Sequence, residues 1–281
     1  MELLIVGAPA LLFIVWLGSA HWRRARRRER LGGRPFPREW EAVLRERLPY
    51  LHYLPASLQA DLRRHVLVFL DEKRFVGCHD LVVTDEMRVI VAAQACLLLL
   101  GHGGGYFPKL RQILLYPEAF IVDRDRTDGM GLVTRERRVL SGESWAHGQV
   151  ILSWPDVLAG AANPVDGRNV VIHEFAHQFD QEKGFANGAP FLARRSNETP
   201  AARQARWASV LQGEYDQLRR RAFAGLLGPT PLLDPYAASE PAEFFAVASE
   251  VFFEQPLDLA AEHAALYAEL ADFYRLDPAS W

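Results

Sequence analysis

Two histidines four residues apart, with a glutamate directly after the first, are the side chains whose spacing best suits metal chemistry. His173, Glu174 and His177 follow a short apolar run. Residues four apart lie one above the other on a helix, so both imidazoles can point at the same position. Two imidazoles supply half of a tetrahedral zinc shell, and Glu174 could act as the general base on a water held there. The pattern is short, and the alternative is a surface helix with two solvated histidines.

The acid-rich segment 236–250 is the best place to find a third protein ligand. Ser239 is predicted to cap a helix with Pro241 in its first turn. Glu243 lies at the edge of the apolar face of that helix, where a carboxylate is costly unless a cation pairs with it. Alternatively, Glu240 and Glu243 only favour the helix dipole at its N-terminus, which explains Glu240 better than Glu243.

Two long motifs, taken together, resemble one known family. They are HEFAHQFD at residues 173–180 and YAASEPAEFFAVASEVFF at residues 236–253. Both are similar to the Mlc titration factor A family of bacterial zinc peptidases, and the similarity extends from about Pro35 to the C-terminus. The metal site of that family is similar to that of the anthrax lethal factor catalytic domain, a gluzincin-like site in which a tyrosine precedes the glutamate ligand by seven residues. Tyr236 and Glu243 have this spacing.

The resemblance implies a role for five residues. His173, His177 and Glu243 would bind one Zn²⁺ per chain, Glu174 would be the general base, and Tyr236 would donate to the oxyanion. The implied activity is hydrolysis of peptide bonds in a peptide or protein substrate, and the implied partner is a transcriptional repressor of sugar uptake. Whether such an enzyme removes terminal residues, as an aminopeptidase does, or cuts within chains is left open.

Two further carboxylates and one strand are candidates for supporting roles. A histidine that binds a metal usually gives its second N–H to an oxygen, and Asp180 or Glu250 could accept it; a solvated carboxylate is the alternative for each. The segment Gly148–Trp154 alternates in the manner of a strand. Such a strand could bind an extended substrate if it lies at the edge of the cleft, or it could simply pair within the sheet.

Helices dominate the predicted elements, and the strands are few and short. The predicted helices are Trp40–Arg47, Ser57–Glu72, Thr84–Leu99, a metal helix from near Asp166 to around Gly184, Ala201–Leu226, Ala242–Glu254 and Leu257–Leu276. The predicted strands are Ile113–Leu115, Ala119–Val122 and Val150–Trp154, with a turn at Asp123–Gly129. A small mixed sheet framed by many helices, with the metal between two of them, predicts an α+β fold of the zincin-like metallopeptidase kind.

Composition narrows the class of protein. The chain has 281 residues, 49% of them apolar, and can bury a substantial core in one catalytic domain. Its net charge is −3, but residues 1–30 hold six Arg and two Glu, so the remainder carries −7. An acidic body argues against nucleic acid as a partner. Cys78 and Cys96 lack metal-ligand spacing and are predicted to be reduced.

The uncharged stretch Leu3–Ala20 precedes the arginines and is 18 residues long, close to the minimum for crossing a bilayer. Positive charge follows it, whereas a secretory signal would carry that charge in front. The positive-inside rule then places the rest of the chain on the cytoplasmic side. We predict an inner-membrane anchor at 1–22, a basic juxtamembrane linker at 23–38 and a peptidase domain at 39–281, helical to about 105 and catalytic from about 106. An interfacial helix or a soluble cytoplasmic protein is the alternative.

These observations favour a membrane-tethered zinc peptidase. The alternatives are a regulator-binding protein with a mainly vestigial zinc site and a zinc hydrolase of non-peptide amides.

Overall fold

The computed structural model describes the backbone of residues 19–102, 105–118, 120–127, 133–140, 142–145, 148–184, 186–193 and 198–281, and their side chains outside 120–145 and 183. The stretch predicted to anchor the chain, Leu3–Ala20, lies outside these ranges apart from its last two residues. Among the described residues, no helix is both long enough and apolar enough to span a bilayer.

The fold is mostly helical, as predicted. In chain order the α-helices are α1 (Ala20–Gly32), α2 (Arg38–Arg47), α3 (Ala56–Glu72), α4 (Asp85–Leu97), α5 (Trp154–Ala162), α6 (Val170–Asp180), α7 (Pro200–Phe223), α8 (Pro241–Glu254), α9 (Pro256–Glu262) and α10 (Ala264–Tyr274). The strands are β1 (Arg74–Gly77), β2 (Gln112–Tyr116), β3 (Phe120–Thr127), β4 (Val133–Leu140), β5 (Gly142–Trp145) and β6 (Gln149–Ser153). Short 3-10 turns include Gln181–Lys183 and Pro235–Ala238.

The small sheet has the order β1-β2-β6-β5, while β3 and β4 form a separate antiparallel pair. β1, β2 and β6 run parallel, and β5 runs antiparallel to β6 at one edge. This mixed sheet confirms the predicted α+β class. β6 pairs on both sides, with Gln149 opposite Gln112 on β2 and opposite Trp145 on β5. β6 therefore has no free edge to which a substrate strand could add, and the alternative that this strand pairs within the sheet is confirmed.

Several element boundaries differ from the predicted ones. The metal helix begins at Val170 rather than near Asp166, because the side chain of Asn169 accepts hydrogen bonds from the first free N–H groups of α6. The predicted helix Leu257–Leu276 is two helices, α9 and α10, which meet at His263, whose φ and ψ are −133° and 55°. β3 continues through most of the predicted turn at Asp123–Gly129.

The start of α8 also differs from the prediction. Ser239 ends the preceding 3-10 turn and donates its hydroxyl to the carbonyl of Tyr236. Glu240 takes the N-cap position, and Pro241 is the first helical residue, where its missing N–H costs nothing. Glu243 consequently lies in the first turn of α8.

An aromatic cluster packs against the face of α6 that lies opposite His173 and His177. Phe175 contacts Phe69 of α3 at 5.7 Å and Phe107 at 4.8 Å between ring centroids. Phe179, one turn further along α6, contacts Phe107 at 5.0 Å and Phe273 of α10 at 5.6 Å. Truncating a buried Phe of this kind typically costs about 3–5 kcal/mol. This core fixes the rotation of α6, so that His173 and His177 point to its other side.

Both cysteines are free thiols, as predicted.

The basic segment packs on the domain instead of forming the linker expected at 23–38. Arg28 makes a bidentate ion pair with Glu72 at 2.7 and 2.9 Å, and Arg27 pairs with Asp71 at 2.8 Å. Leu31 is buried in the core. The helix α1 is thus held against the end of α3, and only the short stretch 33–37 connects it to α2.

Candidate metal centre

Three of the residues singled out by the sequence meet between α6 and α8. His173 and His177 project from α6, and Glu243 projects from the first turn of α8. The Oε2 atom of Glu243 lies 3.0 Å from Nε2 of His173 and 3.4 Å from Nε2 of His177. One donor atom from each residue lies within 4.8 Å of the other two. Among the described residues, this is the one group of three or more such donors that could hold a metal ion.

The distances and chemistry of this cluster fit a bound cation. Ligands about 2.0–2.1 Å from a tetrahedral zinc ion lie about 3.3–3.4 Å from each other, close to the observed separations. His173 also points its Nδ1 atom at Oε1 of Glu250, 2.7 Å away. If neutral His173 donates through Nδ1, the lone pair on its Nε2 faces an oxygen of Glu243. Two lone pairs at this distance repel, so a proton or a metal ion is needed between them.

The pKa shifts of His173 and Glu243 also indicate a site that suits a cation. Burial lowers the pKa of His173, but the carboxylates of Glu250 and Glu243 raise it by a larger amount. The pKa therefore lies well above its usual range. Burial raises the pKa of Glu243, but hydrogen bonds with His173 and His177 more than offset this and hold the pKa well below its usual range. The site therefore favours positive charge between the imidazoles and the carboxylate.

Glu250 contacts the imidazole of His173, as one of the two predictions of a supporting carboxylate expected. Its second oxygen accepts a hydrogen bond from the backbone N–H of Asn169, the residue that caps α6. The side-chain amide of Asn169 donates to Gln94 on α4 at 2.7 Å and to Glu254 on α8 at 3.0 Å. Burial raises the pKa of Glu254 to about 8, so this carboxyl is mainly protonated at neutral pH. A buried polar network therefore ties the start of α6 to α8.

Sequence reasoning missed the other members of this network: Gln94, Asn169 and Glu254. The only local signal was an asparagine just before an apolar helical run, which is typical of an N-cap.

Replacing Glu250 by Gln should weaken zinc binding by about 10–100-fold, the usual effect of losing a carboxylate that orients a ligating histidine. The matched control is Glu240→Gln, which removes an exposed carboxylate at the N-cap of the same helix and leaves the Asn169 network intact. Competition with a chromogenic chelator measures both affinities. Equal affinities in the two variants would contradict the role assigned to Glu250.

Asp180 does not support a histidine, so the other supporting prediction is wrong. Its carboxylate accepts the backbone N–H groups of Gly188 at 2.7 Å and Ala189 at 3.0 Å. Nδ1 of His177 has no hydrogen-bond partner within the described part of the chain. Gly188 has a φ of +76°, and a Cβ atom there would lie 2.5 Å from the carbonyl oxygen of Pro241. Asp180 thus anchors a turn that packs against the first residue of α8, two positions before Glu243.

Replacing Gly188 by Ala should destabilise the fold by about 1–3 kcal/mol, because the left-handed backbone disfavours a side chain. The clash with Pro241 should also displace Glu243 and weaken zinc binding. Gly213→Ala is the control, since its Cβ atom would meet nothing within 4 Å on the helix α7. Urea unfolding and chelator competition measure the two effects. A Gly188→Ala protein with wild-type stability and zinc affinity would show that this turn does not position α8.

The remaining two predicted residues lie beside the three donors. Glu174 follows His173 on α6 and is only 4% exposed. Tyr236 lies in the 3-10 turn before α8, with its ring centroid 6.3 Å from that of His173, and it is 39% exposed. Asp234 accepts the backbone N–H of Tyr236 at 2.9 Å and pairs with Arg168 at 2.7 Å, which holds the turn next to the start of α6.

His102 is a partly buried residue that packs against the aromatic cluster. The ring of His102 packs between Phe179 and Phe273 at 4.7 and 4.8 Å. Burial lowers its pKa to about 4. His147, which precedes β6 in the sequence, lies outside the described residues.

Two imidazoles and a carboxylate that converge between two helices of an α+β domain are typical of metal-dependent hydrolases. The chain belongs to the Glucose-regulated metallo-peptidase M90 family, whose sequence profile matches residues 20–275. The matched region includes α1, so the family domain begins before Pro35. Membership implies a metal ion, and the described residues offer one cluster that could hold it.

Curated relatives agree with this assignment. An uncharacterized protein of Synechocystis sp. is 40% identical over 269 residues, covering 95% of this chain and 94% of that protein. Mlc titration factor A of Klebsiella pneumoniae subsp. pneumoniae is 34% identical over 241 residues, covering 85% of this chain and 86% of that protein. Mlc titration factor A of Salmonella agona shows the same identity and coverage. These similarities confirm the resemblance predicted from the two long motifs.

Proposed function

We propose that this protein is a zinc-dependent peptidase in which His173, His177 and Glu243 bind the metal ion. The observation that carries the proposal is the convergence of these three side chains, since Glu243 Oε2 lies 3.0 and 3.4 Å from the two imidazole nitrogens. Three protein ligands leave a coordination position open, as in catalytic rather than structural zinc sites. Zinc is favoured because imidazole nitrogen and one carboxylate oxygen suit it better than they suit magnesium or calcium.

Each chain residue then has a defined task. A zinc ion held by these three residues would polarise the substrate carbonyl and would activate a water for the attack. Glu174 accepts the proton from the attacking water and passes it to the departing amine. The hydroxyl of Tyr236 donates a hydrogen bond to the oxyanion. Only 4% of Glu174 is exposed, so little bulk water reaches its carboxylate.

An extended substrate fits the edge of the sheet better at β5 than at β6. β5 ends the strand order and lies against α6, the helix that carries His173 and His177. Adding a substrate strand to such an edge would supply main-chain hydrogen bonds without regard to sequence.

Hydrolysis of a peptide library, followed by mass spectrometry, tests the proposed activity. The purified protein should cleave peptides, lose this activity on chelation and recover it when Zn²⁺ is returned. The position of the cuts would also distinguish an aminopeptidase from an endopeptidase. Activity on small amides but not on peptides would instead favour a hydrolase of non-peptide amides.

Replacing Tyr236 by Phe should lower kcat by about 10²–10³-fold, because one donor to the oxyanion is lost. KM and zinc affinity should change little, since the ring and the three ligands remain. Tyr53→Phe is the control, because Tyr53 is 77% exposed and lies in the helical N-terminal part. Steady-state kinetics on the best library peptide measure the effect. An unchanged kcat would remove Tyr236 from the mechanism.

A second candidate function is binding to a transcriptional repressor. The relatives from Klebsiella and Salmonella are named as titration factors of Mlc. We infer that this chain binds a repressor of the same kind, either as a substrate or as a partner independent of hydrolysis. If the wild-type protein cleaves no peptide but binds the repressor, and chelation leaves this binding unchanged, the zinc site is vestigial.

We also propose that Leu3–Ala20 tethers the chain to the inner membrane, with the domain on the cytoplasmic side. The arginines that follow this uncharged stretch support that orientation. Fractionation of cells expressing the full chain tests it: the protein should sediment with membranes. Full-length protein in the supernatant would reject the tether.

A further inference from the structure

The helix α1 has an inner and an outer face. Its inner face is occupied, because Arg27 and Arg28 pair with Asp71 and Glu72 and Leu31 is buried. These contacts hold α1 against α3. Within the described part of the chain, the opposite face of α1 therefore points away from the core and from the candidate metal centre.

Trp22, Arg26 and Arg30 follow one another at intervals of one helical turn on this outer face, and all three are exposed. The guanidinium carbon of Arg26 lies 4.4 Å from the centre of the Trp22 ring. Nε of Arg30 donates to the backbone carbonyl of Arg26 at 3.4 Å. The outer face thus presents an indole and two guanidinium groups in one row.

We propose that this outer face binds the headgroups of an anionic phospholipid bilayer. Guanidinium groups bind phosphate through charge-assisted hydrogen bonds, and indole rings favour the interface between headgroups and acyl chains. Clusters of arginine beside an apolar segment are typical of binding to anionic lipids. The proposal deepens the proposed membrane tether and rests on it for its location, because Leu3–Ala20 leads directly into α1.

Charge distribution explains why the contact would be specific to this face. The chain beyond residue 30 carries a net charge of −7, so an anionic surface repels most of the domain. The attraction is confined to α1. Because α1 is held by ion pairs to α3, binding through its outer face would also set the orientation of the domain on the membrane.

Binding of the full-length protein to vesicles tests the proposal. Vesicles of phosphatidylcholine alone are compared with vesicles that also contain phosphatidylglycerol, and the readout is the lipid concentration that retains half of the protein. The anionic lipid should lower this concentration for the wild type. Arg26→Gln with Arg30→Gln should raise it by about 30-fold on the anionic vesicles, and little on the neutral ones. High salt should remove the same difference.

Arg219→Gln with Arg220→Gln on α7 is the matched control, because it removes two exposed arginines from a different part of the domain. Circular dichroism checks that both double variants fold; the inward ion pairs of Arg27 and Arg28 are unchanged in each. Retention on neutral vesicles reports the tether alone, so its failure is seen separately. The proposal is overturned if the anionic lipid has no effect, if the control pair loses as much binding, or if RNA at equal phosphate concentration retains the protein better than the vesicles do.

Discussion

Glu174→Gln should lower kcat for peptide hydrolysis by about 10²–10⁴-fold while leaving the metal in place. The amide has nearly the same shape as the carboxylate but cannot accept the proton of the attacking water. Glu174 is not one of the three converging donors, so zinc affinity should stay within about threefold of wild type, well below the change expected for a residue that orients a ligand.

The measurement pairs steady-state kinetics with zinc analysis of the same preparation. Glu39→Gln is the control, because Glu39 is an exposed carboxylate in the first turn of α2. If Glu174→Gln retained full activity, the general base would have to be another group. The same variant separates the two candidate functions, because repressor binding that does not need hydrolysis should survive it.

Glu243→Gln should cost more zinc affinity than any change outside the ligand set, beyond the roughly 10–100-fold typical of residues that contact only a ligand. The substitution removes the negative charge that faces both imidazoles and offers a weak amide oxygen in its place. Activity should fall in proportion to the zinc lost and return in part at high Zn²⁺ concentration.

Glu240→Gln is the matched control for this variant. Glu240 lies three residues earlier, at the N-cap of α8, and is exposed. Both variants lose one carboxylate near the same helix terminus, so a general effect on the helix dipole would appear in both. A zinc content of Glu243→Gln equal to that of Glu240→Gln would rule out Glu243 as a ligand.

Local periodicity predicted one half of the metal centre. Helical spacing alone places His173 and His177 on one face of α6, and an apolar run before them favours a helix that is buried on its other side. The meeting with Glu243 spans 70 residues of sequence. No periodic pattern reports a contact over that distance. The place of Glu243 at the edge of an apolar helix face made it a candidate, and the family resemblance implied its role as a ligand.

The features that sequence reasoning missed depend on contacts between distant elements. Gln94 and Asn169 are 75 residues apart. No residue close to either of them in the sequence indicates a buried hydrogen bond. The interior position of β6 follows from pairing with β2 and β5, which no single strand pattern encodes. The break at His263 lacks the Gly or Pro that usually marks a helix end; there Nδ1 of His263 contacts Glu214 of α7 at 2.8 Å.

Asp180 does contribute to the site, but its role differs from the predicted one. Its spacing from His177 suggested a contact along one helix face. In the structure, two backbone N–H groups of the turn at Gly188 and Ala189 bind it instead, and this turn supports α8.

The two ties between α6 and α8 have a consequence for how the protein depends on metal supply. Neither the Asn169 network nor the Asp180 turn includes the ion, and the aromatic cluster behind α6 is independent of it as well. Under the proposed function, we therefore expect the polypeptide to fold before zinc binds. Zinc scarcity should then lower peptidase activity without lowering the amount of folded protein.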